Sequence, residues 1–175
     1  MAEELKRFEL PPDRMFPIVV GSWWEQVFLF LKRNTDELGW EKGLEMHKQH
    51  WSDRAPVYVE RTLNAFKVEE RDAAAWAKYQ IFILTTFCGP GTEVEVMEYG
   101  PKKFEVRYTF PEGKCAPIKA VETLGIQKKV NPGEVHCTPW TEKSLKAINP
   151  KLEWTDQKCI AEGDEYCGGT YELKE

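Results

Sequence analysis

The chain has 175 residues, 42% hydrophobic and 13% aromatic, enough for one core without a disulfide scaffold. Its formal charge is −5, from 29 acidic and 24 basic residues, and no basic run exceeds a pair such as Lys128-Lys129, so binding to a phosphate backbone is disfavoured. No apolar run reaches bilayer length and the charged N-terminus lacks a secretory core, so a cytoplasmic protein with reduced cysteines is expected.

Residues 1–17, with Pro11, Pro12 and Pro17, read as an extended arm, and 18–175 as a single α+β domain. Ser22, with Glu25 three residues on, has the form of a capping box. Trp23, Val27, Phe30 and Leu31 follow at helical spacing, and Gly39 ends the helix. A second helix is expected over about 41–54, broken by Pro56, and a third over about 57–66. A fourth runs from about Glu69 to Cys88 and stops at Gly89-Pro90. Its second half, Ile81 to Leu84, is apolar all round and is expected to be buried centrally.

The period then changes. Val94 and Val96, and Phe104, Val106 and Tyr108, alternate with charged residues on either side of a Tyr99–Lys102 turn, which predicts a hairpin with one wet face. Short helices are expected near 117–124 and 141–148. A second hairpin, 152–161 with 165–173, turns at Glu162-Gly163-Asp164. The fold class is α+β: N-terminal helices packed on an antiparallel sheet, with a C-terminal hairpin that carries cysteines.

Cys159 and Cys167 flank Gly163 symmetrically, so a three-residue loop sets them face to face. Opposed Cβ atoms lie roughly 4.5–5.5 Å apart. Two thiolates on one tetrahedral zinc, each at about 2.3 Å, need sulfurs a little under 4 Å apart, which short side chains on such a pair can reach. Half a metal site, two buried thiols and a cross-strand disulfide all remain open. Further ligands could come from His136-Cys137, from Cys115, or from Asp156, the last only if a bulge turns it to the cysteine face.

Other residues offer less. His47 and His50, three apart on a helix with Glu45 nearby, read as a solvated face, and Cys88 as core. HExxH, Walker, GxGxxG and GxSxG patterns are absent from the sequence. The seven tryptophans exceed what a core of this size needs, so some should line a pocket. Trp23, Trp24, Trp76, Tyr79 and Phe82 are candidates, and Trp76, Tyr79 and Phe82 are the expected contacts to a planar ligand.

The stretches Glu134–Cys137, Lys146–Pro150 and Cys159–Cys167 resemble the L-2-amino-thiazoline-4-carboxylic acid hydrolase family. They also resemble the wider 4-vinyl reductase domain superfamily, which includes the effector domains of phenol-sensing regulators. The resemblance is most specific over about 115–171. It implies a metal site, zinc rather than iron, at Cys137, Asp156, Cys159 and Cys167, with Asp156 where the sensors carry Glu. All four bound, that site would be closed and structural. Catalysis would fall to Cys115 as nucleophile or His136 as base. The implied activity is hydrolysis of a small heterocycle at an amidine-like C=N bond. The alternative is a non-enzymatic module that binds or senses a small aromatic above a structural zinc. The expected partner is a small-molecule ligand or substrate, not nucleic acid or membrane, with a homodimer as the assembly to test.

Overall fold

A computed structural model describes residues 12–89 and 91–175. Two long helices come first, α1 (Pro12–Leu38) and α2 (Trp40–Ala65), folded back on each other at Gly39. Gly39 takes φ 84°, a turn an L side chain resists. The two helices cross closely at Gly43, where a Cβ would stand 2.5 Å from the Thr35 nitrogen.

The helix α3 (Ala73–Phe87) is capped by Asp72, whose side chain accepts from the Ala75 N–H at 2.9 Å. A hairpin follows, β1 (Glu93–Tyr99) and β2 (Lys103–Thr109), then α4 (Ala116–Thr123), a π-type turn (Gly133–Cys137), α5 (Thr138–Ile148), β3 (Leu152–Lys158) and β4 (Cys167–Leu173). The strands form one antiparallel sheet in the order β1-β2-β4-β3, so the second hairpin slots against β2. No described helix is long and apolar enough to cross a membrane.

One core lies where α3 covers the sheet: Trp76, Tyr79, Phe104, Val106, Tyr108, Leu152 and Tyr171 are buried there. A second joins Trp24, Val27, Phe28 and Leu31 of α1 to Ala120 and Val121 of α4 and to Val135 of the π-turn. The α+β expectation, with helices on an antiparallel sheet and a C-terminal cysteine hairpin, holds.

Several local expectations do not hold. Residues 12–17 are helical, not an extended arm; 1–11 lie outside the described residues. Ser22 is therefore interior to α1 and caps nothing. Pro56 sits inside a continuous α2, because burial of Ala55, Val59 and Leu63 on one face outweighs one missing hydrogen bond. In α3 it is the first half that is buried; Ile81 to Leu84 are only half-buried. His47 is fully buried at 0% exposure, whereas His50 is on the surface as expected.

Candidate functional site

Between α3, the sheet, the π-turn and α5 lies a cavity of about 110 Å³ with an almost wholly apolar wall. Its composition is far from random: six of the seven tryptophans and all five cysteines line it. The half-buried end of α3 reaches this space, where Ile83, Leu84, Phe87 and Cys88 contribute to its lining.

The aromatic wall runs in contact from one side to the other. Trp51 stands 5.2 Å from His136 and 6.2 Å from Trp140, centroid to centroid. Tyr79 packs 5.6 Å from Trp76, and Trp76 5.2 Å from Tyr171. Tyr171 stacks on Trp154 at 5.6 Å. The Tyr79 hydroxyl is paired with Ser144 at 3.2 Å, and its burial pushes it up to about 12. Trp51 Nε1, Trp76 Nε1, Gln80 Oε1 and His136 Nδ1 are buried with no hydrogen-bond partner among the described residues. All four residues belong to the cavity wall.

The thiol wall is built by the second hairpin and its neighbours. Thr155 pairs with Thr170 and Lys158 with Gly168, so Asp156 and Gln157 together oppose Gly169. This is the bulge that Asp156 would need, and Asp156 takes φ 51° there. Beyond the bulge the register sets Cys159 against Cys167. The closeness of the two thiols holds Cys159 below and Cys167 well above the ordinary thiol range. The Cys167 sulfur also accepts from the Ile160 N–H at 3.3 Å. The Cys159 N–H donates to the Asp164 carboxylate at 2.8 Å, which pins the turn. Cys159 Sγ presses on the π-turn: a Cβ on Gly133 would lie 3.0 Å from it.

The remaining thiols sit in a drier setting. Burial pushes Cys115 up to about 12 and raises Cys88 and Cys137 well above the ordinary range. Burial likewise lowers His136 to about 3, so its imidazole is neutral. It lies flat against Trp140, 6.0 Å away with 10° between planes, and 5.7 Å from the ring of His47.

Of the residues expected from sequence, Trp76, Tyr79, Cys115, His136, Cys137, Cys159 and Cys167 meet at this one cavity, with Trp23 and Trp24. Phe82 does not. It turns to the other side of α3 and packs on Phe66 at 5.1 Å. Asp156 does not either: despite its bulge it is exposed and outside the cavity wall. Among the described residues no three His, Cys, Asp or Glu side chains are grouped to hold a metal ion. Sequence reasoning missed Trp51, Trp140, Trp154, Gln80 and Tyr171, although the excess of tryptophan was the signal for three of them.

Fold and site together define an α+β domain with a small cavity lined by tryptophan and cysteine. Protein-family models, curated proteins and solved structures contain no match to this chain.

Proposed function

We propose that the chain binds a small planar aromatic or heteroaromatic molecule in the tryptophan- and cysteine-lined cavity. The observation that carries this reading is the convergence of six tryptophans on one apolar cavity of about 110 Å³. An apolar cavity of about 150 Å³ admits benzene, so a single ring is the matching size. The orphaned Trp76 Nε1 and His136 Nδ1 favour a ring with one polar substituent that can meet a buried hydrogen-bonding group. The cytoplasm is the compartment we propose, since all five cysteines are free thiols.

The test is a panel of one-ring and two-ring aromatics titrated against tryptophan fluorescence, checked by calorimetry. One-ring compounds should bind and quench, and fused two-ring compounds should bind at least tenfold more weakly. Ile83→Trp, which fills the cavity, should abolish binding; Phe82→Ala, outside it, should leave affinity unchanged. Equal binding by both variants would sink the cavity as the site.

The hydrolase reading is favoured by one observation, that Cys115 and His136 both reach the same wall. Their protonation opposes it. A thiol pushed up to about 12 and an imidazole lowered to about 3 supply neither a ready thiolate nor a working base near neutral pH. Full retention of turnover of a cyclic amidine by both Cys115→Ala and His136→Ala would remove the catalytic assignment and leave binding intact.

Zinc is a separate proposal, resting on the Cys159–Cys167 pair with Cys137 on the same wall. Elemental analysis of protein purified without chelator decides it. One equivalent of zinc per chain supports it, whereas none, with five free thiols, removes it.

A further inference from the structure

We propose that Cys159 and Cys167 are a reversible redox pair, closed to a cross-strand disulfide by hydroperoxides. The proposal concerns the metal-free chain and stands independently of any organic ligand in the cavity.

Three observations carry it. First, the ladder ends with Lys158 paired to Gly168, so Cys159 and Cys167 are the next residue on each side and face one another by continuation of that register. Opposed residues of antiparallel strands have Cα atoms about 4.5–5.5 Å apart, inside the range of about 4.4–6.8 Å that a disulfide spans. Second, the Cys167 side chain already reaches across to the strand that carries Cys159, because its sulfur accepts from the N–H of Ile160, the next residue along, at 3.3 Å. Closing the bond needs a short approach of the sulfurs and no refolding of the hairpin. Third, the pair has a route to solvent for a small oxidant. Both cysteines line the cavity, which is open on one side, and Cys167 is itself half-buried rather than sealed. Hydrogen peroxide is little larger than water.

The other three cysteines lack the first of these features. Cys88, Cys115 and Cys137 come from α3, the start of α4 and the π-turn, and none is paired with another across a ladder.

The chemistry balances with peroxide as oxidant. The Cys159 sulfur, as thiolate, attacks one peroxide oxygen. The O–O bond breaks, leaving a sulfenic acid and a hydroxide that takes up the proton Cys159 released. The Cys167 sulfur then attacks the Cys159 sulfur. An S–S bond forms, and the hydroxyl leaves as water with the proton of Cys167. Two thiols are oxidised to one disulfide, and one peroxide is reduced to two waters. A dithiol reductant reverses the result.

Closure would also be felt at the π-turn. The Cys159 sulfur is a near neighbour of Gly133, 3.0 Å from where a Cβ would stand, so moving that sulfur changes the surroundings of the turn. Gly133 begins the turn that carries His136 and Cys137 into the cavity wall.

The experiment is peroxide treatment of the folded, full-length chain, with metal content measured beforehand, then alkylation in denaturant and peptide mapping. The expected result is a disulfide joining the peptides of Cys159 and Cys167, a mass lower by two hydrogens, and two fewer free thiols, all restored by dithiothreitol. Cys167→Ser should stop at a sulfenic acid on Cys159, which dimedone traps. Should that variant fail to fold, mapping of the unaltered chain still decides the matter. The proposal is overturned if both cysteines remain alkylatable while others oxidise, if a disulfide joins a different pair, or if Cys159 passes to sulfinic acid with no disulfide formed.

Discussion

Gly168 shows how little room the sheet leaves under the cavity. A Cβ there would lie 2.2 Å from the Val106 carbonyl oxygen, and φ is 136°. Neither the backbone of β2 nor the angle can give, because the Trp154 indole N–H donates to the Gly168 carbonyl at 3.0 Å and fixes that peptide. Gly168→Ala should therefore cost more than about 3 kcal/mol, at the upper end of single substitutions. Gly163→Ala, at φ 99° with open space around it, should cost only about 1–2 kcal/mol of backbone strain. Urea denaturation of both variants checks the ordering, and equal midpoints would contradict it. Residues of this kind divide what was legible from what was not. The pairing of Cys159 with Cys167 could be read from their symmetric spacing about Gly163. The bulge at Asp156 could be named only as a condition, since it arises from Gly169 and the Trp154 hydrogen bond, neither of which is a local signal. Phe82 was misread because helical spacing says which residues neighbour each other, not which side of α3 faces the cavity.

Elements that failed from sequence failed at their starts and breaks. Ser22 and Glu25 have the spacing of a capping box, but an N-cap forms only where the preceding chain is not helical, and α1 already begins at Pro12. Pro56 is the clearer case. Its ring removes the N–H that would bond to the Ser52 carbonyl, normally at a cost of about 3 kcal/mol in a helix interior. The helix continues because Ala55, Val59, Thr62 and Leu63 are buried on one face while Pro56 itself is exposed. Tertiary packing thus holds a helix that local propensity would interrupt. A prediction follows for this element alone: Pro56→Ala restores the bond, disturbs no buried contact, and should raise stability by about 1–3 kcal/mol. An unchanged or lower urea midpoint would mean that the helix is bent at this point to suit its neighbours.

At the scale of the whole molecule, the two buried histidines tie stability to pH. His47 carries no hydrogen-bond partner on either ring nitrogen among the described residues, and His136 none on Nδ1. Both are lowered chiefly by burial, His47 to about 4 and His136 to about 3 from an ordinary value of 6.5. The charges facing them push the same way: His50 and Lys48 on α2 act on His47, and His47 acts on His136. The folded state therefore excludes protons that the unfolded chain accepts below about 6.5. Stability is full above that pH and is lost as pH falls toward the folded values. Each histidine contributes a slope of about 1.4 kcal/mol per pH unit across the window, so the two together contribute nearly 3. Between pH 6.5 and 5 the loss is about 3 kcal/mol, a large share of the roughly 5–15 kcal/mol typical of a domain. Ordinary carboxylates titrate mostly below this window, and the chain has only three histidines, the third exposed, so the slope isolates the buried pair. Urea unfolding at pH 7.5, 6.5, 5.75 and 5 should give a flat upper limb and then a steep fall. His47→Phe keeps the ring stacked on Phe28 and removes one titrating group, so its slope should be about half that of the unaltered chain. A stability that stays level down to pH 5 would show that these imidazoles are hydrated or paired in solution, and would undo the picture of a dry, neutral histidine pair behind the tryptophan wall.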